Sequence, residues 1–270
     1  MPKGSSKNTA GIVASSFAVS TFVIFTKVVG FVKQAAIAAC FGATAETDAF
    51  FLASGFVASF GAMIFSSLSV TLLTMYVRER ERGELFANRL VSSALKLFAP
   101  VALGLSLLLF LFSDAAAFVL APAYDAGSLA VVSHYVRLLS VVVFLYCPYL
   151  VLNAVLEANK VFLAGRALAL LQSALLIVAA LAFSSSGDVA FALASVVNLI
   201  YVAIRATRYF RYVREAPLWS SEMGSLFKLM LPVLLGNAVL EVNSIAEKAV
   251  ASALGLGSVS ALTYGWSVYE

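Results

Sequence analysis

Six ionisable side chains lie within long apolar stretches of this sequence, where charges are rare. They are Lys27, Lys33, Arg137, Glu241, Glu247 and Lys248. An ionised group at the centre of a bilayer costs about 2.5–3.5 kcal/mol on insertion scales, so most of them must face water, one another or backbone groups. In such a place an ammonium group attracts an anion such as a phosphate, whereas a carboxylate attracts a cation.

Helical spacing places three of these charges, Lys27, Glu241 and Lys248, on two polar stripes. The first stripe contains Ser16, Ser20, Val23, Lys27, Gly30 and Gln34. The second contains Asn237, Glu241, Ser244 and Lys248. Because residues three, four and seven apart share one face of a helix, each stripe can line a hydrated cavity that handles an anionic or polar substrate. The alternative is that the stripes supply hydrogen bonds between helices.

The two alternatives apply differently to different residues. Lys27 favours the cavity, because a lysine at mid-depth has few structural uses. The serines, Gly30 and Asn237 favour hydrogen bonding between helices. Asn243 and Glu247 form a further pair, four residues apart, on another face. Both alternatives stay open for Lys33, Glu241, Glu247 and Lys248.

Several other polar residues have structural interpretations. Asp48 stands at the start of an apolar stretch, which is typical of a helix N-cap. Arg137 can extend its head group outward to water, and His134 is expected at the membrane interface. Cys40 and Cys147 lie in unrelated segments, which indicates neither a disulfide framework nor a metal site.

The patterns of common enzyme sites are missing from the sequence. We find no nucleophile with an adjacent base, no glycine-rich phosphate loop and no paired catalytic carboxylates. ATP hydrolysis and other enzyme activities are therefore not expected.

Long apolar helices carry these residues. Of the 270 residues, 62% are hydrophobic and 12% are charged, against about 45–50% and 25% in soluble domains. A bilayer core about 30 Å thick requires roughly 20 helical residues. Seven segments of the sequence reach this length, and an eighth begins near Ser258. The seven complete predicted spans are 11–38, 48–77, 90–113, 129–156, 162–184, 187–207 and 226–254. We therefore predict an all-α polytopic transmembrane bundle, with Pro100, Pro148 and Pro232 inside spans.

Lysine and arginine alternate between the connections of these spans. The N-terminus and the second, fourth and sixth connections carry Lys or Arg, whereas the other connections carry none. The positive-inside rule then predicts a cytoplasmic N-terminus. The sixth connection is the longest basic stretch, and the spacing of Arg205, Arg208 and Arg211 suits a helix at the membrane surface. A nucleic-acid-binding interpretation of this run is not favoured.

The predicted domains follow from the connections. They are a six-helix transmembrane lobe over 1–207, a basic amphipathic cytoplasmic linker over 208–225 and an incomplete second lobe over 226–270. The sequence stops roughly 12 residues into the eighth span, which is too short a helix to cross a membrane. We therefore expect either a fragment or a chain that a partner subunit completes.

Several runs of this sequence resemble the MurJ/MviN-type lipid II flippases. The matching runs are KVVGFVK (27–33), FGA (41–43), TDAFF (47–51), NAVLEANKVF (153–162), LPVLLG (231–236) and GSVSAL (257–262). The resemblance covers most of the chain in matching order. The last two runs resemble the start of that family's second lobe.

The resemblance implies the fold of the multidrug/oligosaccharidyl-lipid/polysaccharide exporter superfamily, with two six-helix lobes around a central cavity. It implies that a lipid-linked sugar crosses the cytoplasmic membrane by alternating access, driven by membrane potential or an ion gradient. The first, second, seventh and eighth spans would line the cavity. The expected substrate-binding residues are Lys27, Lys33, Gln34, Asp48, Glu241 and Lys248. Glu247, with Asn243 nearby, matches an acidic position that helps to bind sodium in some relatives.

This sequence departs from the family's pattern at several charged positions. Lys27 and Lys33 stand where the family has arginines, which keeps the charge but loses the bidentate guanidinium fork. Gln34 replaces an acidic residue. The family's arginine and glutamate in the second span fall near Gly61 and Ser66, and its arginine in the eighth span falls at Ser267, all of which are neutral. These differences favour an undecaprenyl-linked glycan other than lipid II, such as an exopolysaccharide precursor.

The leading hypothesis is a flippase-like transporter of the bacterial inner membrane for such a glycan diphosphate, in which Lys27, Lys33 and Lys248 attract the diphosphate. A second hypothesis is a non-transporting assembly subunit of a cell-envelope polysaccharide complex. A third is a drug or cation exporter of the same superfamily, which would need acidic residues lining the first lobe. The expected partners are the lipid-linked glycan, membrane lipid and a C-terminal half or partner subunit. No cofactor, metal or nucleic acid is expected, and Na⁺ or the membrane potential would provide coupling.

Overall fold

The computed structural model describes residues 5–161, 170–171, 173–178, 181 and 187–269. Its helices are α1 (Ser5–Phe41), α2 (Ala45–Arg82), α3 (Glu84–Leu111), α4 (Ser113–Leu120), α5 (Ala126–Ala158), α6 (Gly187–Ala206), α7 (Ser221–Ser252) and α8 (Ser258–Tyr269). Among the described residues, five helices are long and apolar enough to cross a membrane, namely α1, α2, α3, α5 and α7. The prediction of an all-α polytopic bundle is confirmed.

Short polar side chains stabilise the starts of three helices. Thr44, Asp125 and Ser220 each accept a hydrogen bond from a backbone N–H two or three residues later, at 3.0–3.3 Å, which satisfies donors that the first helical turn leaves free. Gly42, with φ +64°, follows the end of α1 and allows the chain to reverse. The N-cap of α2 is therefore Thr44, and the prediction that Asp48 caps this helix is wrong.

The core lies where α2 and α5 pack against each other, with α3 covering one side. Its largest fully buried side chains include Phe65, Leu68, Leu72 and Leu139. α6 packs on α5 through a smaller cluster of Leu152, Leu156, Val202 and Ala206. α7 lies against α2, and α8 contacts α1, α2 and α7. Four helices, α1, α2, α7 and α8, therefore meet beside the core.

The third predicted span, 90–113, corresponds to one long helix and part of a second. α3 ends at Leu111, and the separate helix α4 begins at Ser113. Phe112 between them leaves helical geometry at φ −103°, ψ 26°, so the chain turns there. Pro100 lies inside α3, and prolines also lie inside α5 and α7, as predicted.

The sixth connection does not form the predicted surface helix. Residues 207–220, called the strap below, contain no helix, and residues 221–225 already belong to α7. Several of the strap's backbone groups bond to side chains of α2 and α3. Tyr76 donates to the carbonyl of Tyr209 at 3.2 Å, for example, and the N–H of Val213 donates to Ser92 Oγ at 2.9 Å. These bonds replace the hydrogen bonds that a helix would make internally.

The fifth predicted span, 162–184, lies largely outside the described residues. Those described between 170 and 181 are helical. The division of the chain into 1–207, 208–225 and 226–270 stays a prediction.

The Arg- and Lys-rich connections meet at one end of the bundle. Arg80 in the second connection donates to Asn159 Oδ1 in the fourth. Arg82 lies 3.5 Å from the carboxylate of Glu222, which follows the sixth. The first, third and seventh connections, which lack Lys and Arg, meet elsewhere around Asp48. The two kinds of connection are thus separated as the predicted topology requires; which end faces the cytoplasm stays a prediction.

Candidate functional site

A polar cavity of about 610 Å³ lies between α1, α7 and α8. Its lining includes five residues predicted to bind substrate or an ion, which are Gln34, Glu241, Asn243, Glu247 and Lys248. The other lining residues are Leu240, Ser244, Leu262, Thr263, Trp266 and Ser267. The structure therefore brings Gln34, at the end of the α1 stripe, into one cavity with Glu241, Ser244 and Lys248 of the α7 stripe.

A second, smaller cavity of about 210 Å³ lies next to the first, between α1, α2, α7 and α8. Gln34, Lys248 and Thr263 line both cavities. The smaller cavity adds Lys33 and aromatic side chains that include Phe50. Two lysine side chains, one from α1 and one from α7, therefore line the same small space.

Lys248 extends from α7 toward α2, where Gly55 leaves space for it. A Cβ atom built on Gly55 would overlap the Lys248 ammonium nitrogen and lie 3.2 Å from its Cε. Any side chain at residue 55 would therefore displace the ammonium group. Sequence reasoning missed Gly55, because a lone glycine within an apolar helix gives no sign of which distant residue approaches it.

Two carboxylates lie near the Lys248 ammonium group. Glu241 and Glu247 both act on it electrostatically, yet among the described residues neither forms a direct ion pair with it. Asn243 Nδ2 donates to Glu247 Oε1 at 2.6 Å, which confirms the predicted pairing of these two side chains. Lys248 thus has anionic neighbours at a distance and keeps its donors for a further ligand. A sodium site at Glu247 and Asn243 stays a prediction.

Gln34 carries an unsatisfied acceptor between the cavities. Its Oε1 atom is buried and has no hydrogen-bond partner among the described residues. A buried polar atom without a partner costs about 1–3 kcal/mol. Because Gln34 lines both cavities, a hydroxyl or N–H group of a bound molecule can supply the missing donor.

The other predicted charges lie away from the cavities. Lys27 is exposed on α1 and is not among the lining residues of either cavity. Arg137 Nε donates to Ser113 Oγ at 3.1 Å, and its Nη2 lies 3.7 Å from Asp114. It therefore lies beside the start of α4, and the outward extension of its head group to water stays a prediction. His134 is exposed.

Asn237 joins α7 to α2. Its Nδ2 donates to Ser66 Oγ at 3.0 Å and to Ser67 Oγ at 2.9 Å. The prediction that Asn237 bonds between helices is confirmed.

Asp48 lies outside the cavities and is fully buried. Its carboxylate accepts hydrogen bonds from the backbone N–H of Gly257 at 2.6 Å, from the backbone N–H and hydroxyl of Ser260, and from Tyr124 at 3.1 Å. With these donors occupying its oxygens, Asp48 has no access to a ligand, so the structure does not support its predicted place in the substrate site. It caps the N-terminus of α8 instead.

Tyr124 stays protonated beside this carboxylate. Burial, and then the negative charge of Asp48, raise the pKa of Tyr124 above its ordinary value of 10.0. The phenol therefore remains a hydrogen-bond donor at neutral pH.

These features define a polytopic α-helical membrane protein that holds two lysine side chains in a small cavity between α1, α2, α7 and α8, next to a larger polar cavity. The chain belongs to the MurJ family, because the family model described as lipid II flippase MurJ matches residues 37–270. The resemblance seen in the sequence is therefore confirmed.

A solved structure shows the same fold. It is described as lipid II flippase MurJ in an inward closed conformation, and it aligns with a TM-score of 0.76 at 18% identity. The alignment covers 94% of this chain and 54% of the other, so this chain spans about half the length of that protein. No curated protein matches the chain.

Proposed function

We propose that this chain forms the cavity-bearing part of a flippase that moves a lipid-linked glycan diphosphate across the bacterial cytoplasmic membrane by alternating access. The observation that carries the proposal is the position of Lys248, which lines both cavities together with Gln34 and shares the smaller one with Lys33. Membership of the MurJ family supports the same function.

The chemistry of the cavities suits such a substrate. Ammonium groups removed from bulk water attract a diphosphate more strongly than exposed ones do, because the local dielectric is lower. Hydroxyl and amide groups of a sugar need both donors and acceptors, and Gln34, Asn243 and Ser244 supply them in the larger cavity. A lysine is a point charge without the planar fork of arginine, so it places fewer geometric demands on the phosphates.

The charges also bear on how transport is driven. With the Arg- and Lys-rich end in the cytoplasm, as the positive-inside rule predicts, an anionic substrate would move outward with an inside-negative potential. Each elementary charge that crosses contributes about 2.3 kcal/mol per 100 mV. The cation-exporter alternative needs acidic residues lining the first lobe, but the described cavities place Lys33 there instead.

Substrate binding and transport both test the proposal. We expect Lys248→Ala and Lys33→Ala each to weaken binding of a polyprenyl-diphosphate sugar at least about tenfold, since each removes a charge-assisted contact. Binding of the same sugar linked to an uncharged polyprenol should not change. Movement of the diphosphate sugar across proteoliposomes should fall in parallel.

Lys228→Ala provides the matched control, because Lys228 is an exposed lysine of α7 outside both cavities. If Lys248→Ala and Lys33→Ala bound and moved the substrate as well as the parent and this control, the proposal would be wrong.

A further inference from the structure

The strap is held against α3 by its backbone. Lys96 Nζ donates to the carbonyl oxygens of Arg214 at 2.6 Å and Ala216 at 2.7 Å. Ser93 Oγ donates to the carbonyl oxygen of Pro217 at 2.6 Å. Tyr209 and Phe210 of the strap pack against the core, whereas its arginine side chains are exposed.

The outward side chains combine positive charge with aromatic and apolar surface. The exposed residues of the strap include Arg208, Arg211, Tyr212, Arg214, Leu218 and Trp219, together with Thr207, Glu215 and Pro217. The strap contains a single acidic residue, Glu215. Among the described residues, none of the three arginines has a carboxylate within ion-pair distance. Their guanidinium groups are therefore available to an anion from outside the chain.

The neighbouring helices place this face at the depth of the lipid head groups. Beyond Lys96, the first exposed large apolar side chain of α3 is that of Val101. Val101 lies five residues after Lys96, which is about 7 Å along the helix at 1.5 Å per residue. Those of α6 end at Ile204, one turn before Arg208. The head-group layer on each side of a bilayer is roughly 6 Å thick. The strap therefore lies where the apolar surfaces of both helices stop.

Trp219 gives a separate indication of the same depth. Its side chain is 63% exposed, and its ring stacks on Phe227 of α7 at a centroid distance of 5.4 Å. The exposed apolar surface of α7 begins two residues later, at Leu229. Tryptophan is enriched at membrane interfaces, because its ring is apolar while its N–H is polar.

We propose that the outer face of the strap binds the head groups of anionic phospholipids, with Arg208, Arg211 and Arg214 contacting the lipid phosphates. Guanidinium groups form bidentate hydrogen bonds with phosphate oxygens, and clustered basic residues at the membrane surface favour anionic lipid over neutral lipid. Trp219 lies beside the acyl chains of the same lipids.

Quenching of Trp219 by brominated lipid tests the proposal. The chain has two tryptophans, so Trp266→Phe leaves Trp219 as the only one. The variant is placed in bilayers of phosphatidylcholine and phosphatidylglycerol at a fixed ratio, with bromine on the upper acyl chain of one lipid or the other. We expect brominated phosphatidylglycerol to quench at least about 1.5-fold more than brominated phosphatidylcholine at equal mole fraction. The excess should fade as ionic strength rises.

Two further variants test whether the strap arginines, and not the overall charge of the protein, cause the lipid preference. Replacing Arg208, Arg211 and Arg214 with Gln should reduce the quenching ratio to about 1, whereas Lys at all three should retain most of it. A matched control variant carries Arg78→Gln, Arg89→Gln and Lys160→Gln. It removes three positive charges elsewhere at the same end of the bundle and should keep the quenching ratio of the parent.

Either of two results would overturn the proposal. One is equal quenching by both lipids in the parent, and the other is a preference that persists in the Gln variant. Circular dichroism and thermal unfolding establish that each variant is folded. If the triple Gln variant is not folded, the single Arg211→Gln and Arg214→Gln variants must each lower the ratio for the proposal to stand.

Discussion

The carboxylate of Asp48, in the first turn of α2, accepts a hydrogen bond from the backbone N–H of Ser260, in the first turn of α8, at 2.7 Å. The two residues lie 212 positions apart in the sequence. A negative charge at a helix N-terminus satisfies the free N–H groups there and interacts favourably with the helix dipole. This contact joins the first and seventh connections at the end of the bundle opposite the strap.

Asp48→Asn should destabilise the folded chain by about 2–4 kcal/mol, because it removes a buried charge that accepts hydrogen bonds from four donors and places an amide N–H₂ against some of them. The free energy of unfolding in detergent measures the effect. Asp125→Asn is the control, since Asp125 also caps a helix but is exposed, and its effect should be smaller. A loss below about 1 kcal/mol for Asp48→Asn would contradict the capping role.

The capping of α5 by Asp125 should depend on pH. The hydroxyl of Ser128, and then the backbone N–H groups of Gly127 and Ser128, lower the pKa of Asp125 below its ordinary 3.8. A carboxylate whose pKa is lower in the folded state stabilises the fold above its unfolded pKa, and this contribution is lost as the pH falls through the folded pKa. The difference in melting temperature between the parent and Asp125→Ala should therefore be constant from about pH 8 to 5 and shrink below about pH 4. A difference that grows at low pH would contradict this assignment.

The helices and their polar stripes could be predicted from sequence because hydropathy and helical spacing act over 20 or so neighbouring residues. The distant partner of a residue could not be predicted from the sequence. Asp48 has the spacing of a local cap, yet Thr44 takes that role and Asp48 bonds to α8. The strap has the arginine spacing of a helix, but bonds with side chains of α3 hold it in a non-helical conformation. Gly55 is significant only because Lys248 approaches it in the fold.

Gly55→Ala should increase stability and decrease transport. Alanine favours a helix over glycine by about 1 kcal/mol, and the atom it meets is the far end of a flexible lysine that can move aside. The ammonium group would then leave the junction of the two cavities, so substrate binding should fall about three- to tenfold, equivalent to roughly 0.6–1.4 kcal/mol. Unfolding in detergent and binding of a polyprenyl-diphosphate sugar give the two readouts.

A double-mutant cycle assigns the effect of Gly55 to Lys248. In a Lys248→Ala background, Gly55→Ala should have no further effect on binding, because the group that it displaces is already gone. If the two substitutions reduced binding additively, Gly55 would act through some other contact. Gly104→Ala on α3 serves as the matched control, since nothing lies within 4 Å of its added Cβ.

Lys96→Met should release the strap from α3. It removes two charge-assisted hydrogen bonds to backbone carbonyls while keeping much of the apolar stem, so local opening should become easier by about 1–3 kcal/mol. Because the strap contains three arginines, trypsin should cut it at least about fivefold faster when opening precedes cleavage. Lys228→Met, at an exposed lysine of α7, should leave the rate unchanged. An equal cleavage rate in the parent and Lys96→Met would show that these bonds do not hold the strap.

Asn237 and Glu241 lie one turn apart on α7 and should behave oppositely when replaced. Asn237→Ala removes the bonds to Ser66 and Ser67 and should cost about 0.5–1.5 kcal/mol of stability, the usual range for polar contacts between membrane helices, with little change in substrate binding.

Glu241 lines the larger cavity and acts electrostatically on Lys248. Glu241→Gln should leave stability almost unchanged but strengthen diphosphate binding, because it removes a negative charge that competes with the phosphates for that ammonium group. Weaker binding by Glu241→Gln would show instead that the carboxylate contacts the glycan or holds Lys248 in position.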